Sequence, residues 1–163
     1  MGFRMKNDEQ KNLSQRAKEI IEKILYITIA TVDENGQPWN TPVYSAFDEN
    51  YNFYWASDKN GQHSKNIRTN NKIFLVIYDS TVPESKGEGV YILAKANELE
   101  DLGDIKRGLS YLDERVKKKP HDSKHFTGNY PRRVYKAIPE KFWRNADGKV
   151  SGNYIDIRQE VKL

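Results

Sequence analysis

The residues with the most chemistry to offer are crowded between Ser57 and Arg68. Ser57, Lys59, Gly61, Gln62, His63, Ser64, Lys65, Asn66 and Arg68 fall in this one stretch. The pattern predicts the end of a strand followed by a short helix over 61–68. A helix N-terminus presents free N–H groups and a positive dipole end, so phosphate binding is natural there. Lys65 and His63 add charge and Ser64 adds a hydroxyl donor. The same residues would also make a polar helix cap that satisfies its backbone donors with no ligand. On residue types alone both readings stand.

Other chemistry is thinly represented. There is no GxGxxG, Walker, HExxH or GxSxG pattern. With no cysteine, disulfides, thiolate metal sites and cysteine nucleophiles are excluded. His121 and His125 are four apart, but Pro120 and the polar residues around them argue against a helical metal pair, so a solvated loop pair is expected. The run Lys117-Lys118-Lys119 has no interleaved aromatics and reads as a solvated helix end.

The chain of 163 residues, 37% hydrophobic and 31% charged, is expected to form a single domain over 1–163. No stretch approaches the roughly 20 apolar residues that cross a bilayer, so no membrane partner is expected. Met1 to Lys6 lead into charged sequence without an apolar signal core, and a cytoplasmic location is expected. The net charge of +4 suits a phosphate-bearing small molecule. No zinc-finger, helix-turn-helix or RNP-type signature points to nucleic acid.

The elements that must hold the 57–68 stretch follow from periodicity. Residues 8–24 read as an amphipathic helix, with Leu13, Ala17, Ile20, Ile21 and Ile24 on one stripe. Tyr26–Val32 is rich in β-branched residues, and Asn35-Gly36 predicts a tight hairpin with positive φ at both positions. Thr41–Phe47 returns, Asp48-Glu49-Asn50 turns, and Asn52–Ala56 forms a third strand. Ile73–Tyr78 should be a strand buried on both faces. Residues 79–89 contain Pro83, Gly87 and Gly89 and form a loop. Val90–Ala96 is a strand and 102–118 a helix with Ile105, Leu109, Leu112 and Val116 on one face. Residues 120–131 read as a polar, mobile loop. The C-terminal strands span 132–163, as 134–138 and 141–144, a turn at 146–148, and 153–158. Hairpins dominate and βα alternation is absent, so a mainly β antiparallel barrel with helices packed outside is expected.

The ordered set "ATVDENGQPWNTPVYSAFDENYNFYWAS…QHSKNIRTNNKIFLVIYDS" resembles the FMN-binding split-barrel family that includes pyridoxamine 5'-phosphate oxidase. The resemblance runs strongly from Ile20 to Leu99 and more weakly through the C-terminal strands. It implies a six-stranded Greek-key split barrel that binds FMN across a homodimer interface. It places Asn40, Thr41, Pro42, Val43 and Ser45 along the flavin, with Trp55, Ala56 and Ser57 at the strand end beside the ring and ribityl chain. Gln62, His63, Ser64 and Lys65 would meet the phosphate. The partner chain would contribute Trp143, and Arg158 would contact a small substrate. Tyr44, Trp55, Tyr91 and Trp143 are candidates either to stack on a planar ligand or to pack in the core or the dimer interface.

Pyridoxamine 5'-phosphate oxidases proper carry arginine and lysine where this chain has Asn40, Ser45, Gln62 and His63. They have a glutamine where this chain has Gly89, and their C-terminal arginine-histidine motif is not intact here. The resemblance therefore speaks for fold and cofactor more than for a particular reaction. An FMN-dependent oxidoreductase is the expected function. The alternatives are a non-enzymatic FMN carrier or sensor, and the same barrel holding F420 or haem. For an oxidoreductase the hydride chemistry would belong to the cofactor, which accounts for the missing nucleophile and triad motifs.

Overall fold

A computed structural model describes residues 7–84, 86–150 and 152–163. They form three α-helices, one 3-10 helix and eight strands. In chain order these are α1 (Asn7–Lys23), β1 (Tyr26–Val32), β2 (Pro38–Tyr44), β3 (Ala46–Phe47), β4 (Phe53–Asp58) and α2 (Gln62–Thr69). Then come β5 (Lys72–Tyr78), β6 (Gly89–Glu98), α3 (Leu102–Val116), the 3-10 helix Ser123–Phe126, β7 (Arg132–Val150) and β8 (Asn153–Val161).

Every strand pairing is antiparallel, and the sheet runs β2-β1-β5-β6-β7-β4-β3 with β8 added to β7. The mainly β, split-barrel expectation holds, with eight strands instead of six. The sheet is not closed by a ladder. β2 and β3 sit at opposite ends of the path and are separated in sequence by Ser45 alone, so one bent stretch of chain joins the two edges.

Alternation explains the core. Ile27, Ile29, Ile73, Leu75, Ile77, Val90, Ile92 and Ala94 point inward and are almost fully buried, and Ala17, Ile20 and Ile21 of α1 pack against them. β5 has polar exposure only at its ends, Lys72 and Tyr78; its outward residues Phe74 and Val76 are half-buried. A second cluster joins Ile105, Leu109 and Leu112 of α3 to Ala46, Phe126 and Val134. α3 begins at Asp101, whose side chain accepts from the Asp104 N–H at 3.0 Å. It ends at Val116, two residues before the expected end at 118, with Lys117, the first of the lysine run, as its C-cap in the left-handed conformation. Nη2 of Arg115 donates to the carbonyls of Ile21 and Ile24, at 2.8 and 2.9 Å, and so closes the C-terminal end of α1.

Four expectations need correction. The β1–β2 connection is a five-residue turn over 33–37 with only Gly36 at positive φ; the Asp33 carboxylate accepts the N–H groups of Asn35 and Gln37 and stabilises the longer loop. The 120–131 segment is not simply polar and mobile, because Phe126 is buried against α3 and anchors its middle. The stretches 134–138 and 141–144, read as separate, are one continuous strand. Leu93 faces Lys141 while Ala94 faces Pro139, so Glu140 is an extra residue and the proline lies at a bulge, where a missing N–H is tolerated. The predicted turn at 146–148 is strand: Gly148 pairs with Ile155, and the chain reverses near Gly152, at φ +83°.

Candidate functional site

The 57–68 stretch lies where expected, as the end of β4 and the first turns of α2. Gly61 is the N-cap of α2; it supplies no side-chain acceptor, and the first turn carries no acidic residue. The opening N–H groups of α2 are thus left for a ligand or solvent. The Gly61 N–H itself donates to the Asp58 carbonyl at 3.1 Å, and a Cβ on Gly61 would come within 3.2 Å of that oxygen. The turn therefore favours glycine. Gln62 and Lys65 are exposed, whereas His63 and Ser64 are buried. Ser64 Oγ donates to the Asp58 carbonyl at 2.7 Å, so this hydroxyl shapes the turn and is already engaged. His63 is 7% exposed and its Nε2 has no partner. Burial holds its pKa below the usual imidazole value.

A polar chain ties α2 to the β1–β2 hairpin. Gln62 Nε2 donates to Asn66 Oδ1 at 2.8 Å, and Asn66 Nδ2 donates to Thr31 Oγ1 at 3.0 Å. Trp39 Nε1 donates to Thr41 Oγ1 at 2.9 Å on the neighbouring strand. The residues expected along a ring thus stand beside those expected at a phosphate. β2 is an edge strand. Asn40 and Pro42 are exposed, Thr41 is half-buried, Val43 points into the core, and Ser45 is buried, its N–H donating to the Leu25 carbonyl.

Trp55 has no exposed surface, stacks on Tyr135 with centroids 5.6 Å apart, and leaves its indole N–H unpartnered. In the single chain its side chain is core, so β4 can offer a ligand only its half-buried end, Ala56 and Ser57.

A second group holds the α2 turn from behind, and sequence reasoning did not find it. The Tyr135 hydroxyl donates to Glu98 Oε2 at 3.1 Å, and Arg133 Nε meets Glu98 Oε1 at 3.1 Å. Arg68 Nη2 donates to the Lys59 carbonyl at 2.7 Å, and the Lys59 N–H donates to the Pro131 carbonyl at 2.8 Å. Burial, opposed by Ser64 and reinforced by Glu98, pushes the Tyr135 hydroxyl up to about 12. The only sequence signal was alternation in β6 and β7, which places these side chains on a face but not beside α2.

Trp143 and Arg158 form another group. Trp143 stacks on Phe74 at 6.2 Å, and the Arg158 guanidinium lies 4.0 Å from the Tyr91 ring centroid while pairing with Asp156. Strand register runs Pro42–Thr28–Val76–Tyr91–Trp143, so Pro42 and Trp143 share one sheet face four strand spacings apart. That is about 19 Å along the sheet. Within one chain they do not meet. Cavities of about 460, 500 and 390 Å³ lie elsewhere, against α1, α3 and the C-terminal end of α2. Among the described residues no helix is long and apolar enough to cross a membrane.

Comparison with solved structures places this arrangement in a known fold. A candidate pyridoxamine 5'-phosphate oxidase from Listeria innocua superposes with TM-score 0.61 at 18% identity, over 86% of this chain and 99% of that one. An F420 reductase superposes with TM-score 0.57 at 17% identity, over 77% and 94%. The haem storage protein HutZ of Vibrio cholerae gives 0.58 at 14%, over 78% and 90%. At these identities the likeness shows the fold alone. Comparison with curated protein sequences gives no match. The family model described as pyridoxamine 5'-phosphate oxidase, however, matches residues 13–145. With the split-barrel topology beside that match, the chain belongs to the pyridoxamine 5'-phosphate oxidase family.

Proposed function

We propose that the protein is a homodimeric FMN-binding oxidoreductase acting on a small planar substrate. The observation that carries this reading is the start of α2: a first turn with a glycine cap, no side-chain acceptor and no acid, followed by exposed Lys65 and standing beside the edge strand β2. Such a donor set fits a phosphate dianion. The N–H groups of Gln62, His63 and Ser64, with the Lys65 ammonium, would hold the phosphate. The outer backbone of β2 would run along the ring, and Ala56 and Ser57 would close the ribityl side.

When bound, FMN supplies hydride transfer. The chain's own task is to orient the ring, offer donors to it and exclude water. Trp143 and Arg158 take part only from a second copy, since Trp143 lies about 19 Å along the sheet from Pro42 of its own chain. The outward sheet face, with Tyr26 61% and Tyr78 50% exposed alongside Phe74, Tyr91 and Trp143, offers the apolar surface that such a copy would cover.

The test is the absorption spectrum of the purified protein, the mass of any extracted ligand, and the mass of the particle by light scattering. One FMN per chain in a dimer is expected. A colourless monomer that takes up no added FMN overturns the reading. A second reading keeps the pocket and exchanges the cofactor, supported by the F420 reductase and haem storage protein that share the fold. The extracted mass separates these. A third keeps FMN without catalysis; anaerobic NADH or NADPH that fails to bleach bound flavin would favour a carrier or sensor.

A further inference from the structure

Taking the first turn of α2 as the phosphate site, we propose that His63 takes up a proton when phosphate docks there, so that the site holds phosphate more tightly as pH falls from 8 towards 6. His63 is the second residue of α2 and is 7% exposed. Its Cε1 and Nδ1 lie 3.5 and 3.8 Å from the point where a Cβ on Gly61 would stand. The ring edge that carries Nδ1 therefore borders the space over the N-cap, where serine or aspartate would place an acceptor oxygen. Glycine leaves that space without an acceptor. A phosphate oxygen entering it would meet Nδ1 together with the opening N–H groups of the helix.

The other polar side chains of this turn are engaged: Gln62 with Asn66, Ser64 with the Asp58 carbonyl, and Asn66 with Thr31. His63 is the exception. Its Nε2 is sealed from solvent and has no hydrogen-bond partner among the described residues. A buried, unpaired imidazole costs stability that an apolar side chain at the same position would not. Packing alone therefore does not account for a histidine here.

In the unliganded chain the balance of the surroundings keeps the ring neutral. Burial disfavours the imidazolium. Lys59 on the preceding turn and Lys65 and Arg68 on α2 are cations, and Arg133 on β7 is another. Glu98 on β6 is already held by Arg68, Arg133 and the Tyr135 hydroxyl. Asp58 at the end of β4 accepts the Asn60 N–H. Tyr135 of β7 presents its ring edge-on, with centroids 6.5 Å apart. From β1 comes Thr31, which does not titrate, and β2 has no charged residue. A phosphate dianion over the N-cap reverses this balance, because an opposite charge within about 4–6 Å shifts a pKa towards the charged form by about one to three units. Between the free and bound midpoints, affinity then gains up to about tenfold per pH unit, since proton and phosphate strengthen each other equally.

The chain has three histidines, so the ring signals of ¹³C-histidine-labelled full-length protein can be followed one by one. With saturating FMN the His63 midpoint should rise by about one pH unit or more, while the signals of His121 and His125 stay in place. The FMN dissociation constant should fall about tenfold from pH 8 to about 6.5, a window above the second ionisation of the ester at about 6. Riboflavin, which has no phosphate, should show no such gain, and neither should FMN with the His63→Gln protein. FMN that binds equally at both pH values, or with the His63 midpoint unmoved, overturns the proposal and leaves the flavin reading standing. Inorganic phosphate separates the two in the other direction. A His63 midpoint raised by phosphate, in a protein that takes up no FMN, supports proton uptake and removes the flavin. A midpoint unmoved by FMN and by phosphate alike overturns both.

Discussion

Asn66 of α2 donates to the Thr31 hydroxyl of β1 across 3.0 Å, and both side chains are buried. This bond fixes where the first turn of α2 stands relative to the β1–β2 hairpin. Removing the amide leaves a buried hydroxyl without its donor, which costs about 1–3 kcal/mol. Asn66→Ala should lower the urea midpoint accordingly without changing the slope. FMN affinity should fall with it, because the two halves of the site lose their common reference.

Lys65 and Ser64 should separate cleanly when mutated. Lys65 is exposed and makes no ion pair among the described residues, so Lys65→Ala should leave stability within about 0.5 kcal/mol and weaken FMN about tenfold. Ser64 Oγ is committed to the Asp58 carbonyl, so Ser64→Ala should destabilise the protein as well. Fluorescence titration beside thermal melting checks both. Unchanged FMN affinity in Lys65→Ala would move the phosphate elsewhere.

If the site is shared between copies, damaged chains should complement one another. Lys65→Ala and Trp143→Ala proteins, each weak alone, should regain one native site per mixed dimer. FMN titration of the refolded mixture should then show a tight fraction absent from either parent. Failure of mixed dimers to recover any tight site would place both residues on the same ligand from one chain, or Trp143 outside the site.

Two buried groups set the acid side of stability, with the same sign. Burial lowers the His63 pKa, so the unfolded chain takes up its proton first; stability is full above about 6.5 and declines as pH falls below that. For Asp48 burial alone would raise the pKa. The hydrogen bonds of Asn52, Tyr54 and the Asn50 N–H outweigh burial and hold it below the usual value. Its contribution is full above about 3.9 and is lost as pH falls through the folded value. Urea midpoints measured down the pH scale should fall in two stages. His63→Gln should remove the upper stage, and Asp48→Asn should shrink the lower one, to which Asp79 and Glu88, also held below their usual values by their hydrogen bonds, contribute as well.

Much of this was legible in the chain. The alternation of β1, β5 and β6 and the stripe on α1 specify their own burial, because each is a local period matched to a single face. The α2 turn was legible for the same reason: glycine, serine and lysine act on their nearest neighbours. What was not legible depends on partners far away in sequence. That 134–138 and 141–144 are one strand is visible only once the bulge opposite Leu93 and Ala94 is seen. Glu98, Arg133 and Tyr135 carry no motif, and only the β6–β7 register brings them under the α2 turn. Trp55 looked like a ligand residue because aromatic type does not encode which way a strand end faces.

The Ser45 joint gives the molecule a mechanical asymmetry. Around most of its circumference, prising neighbouring strands apart means breaking a row of backbone bonds. Between β2 and β3, the two ends of the strand path, no such row exists, and rotation about a few torsions near Ser45 changes the width of the gap. The girdle therefore has a built-in clasp beside α2, and breathing there costs less than at any paired seam.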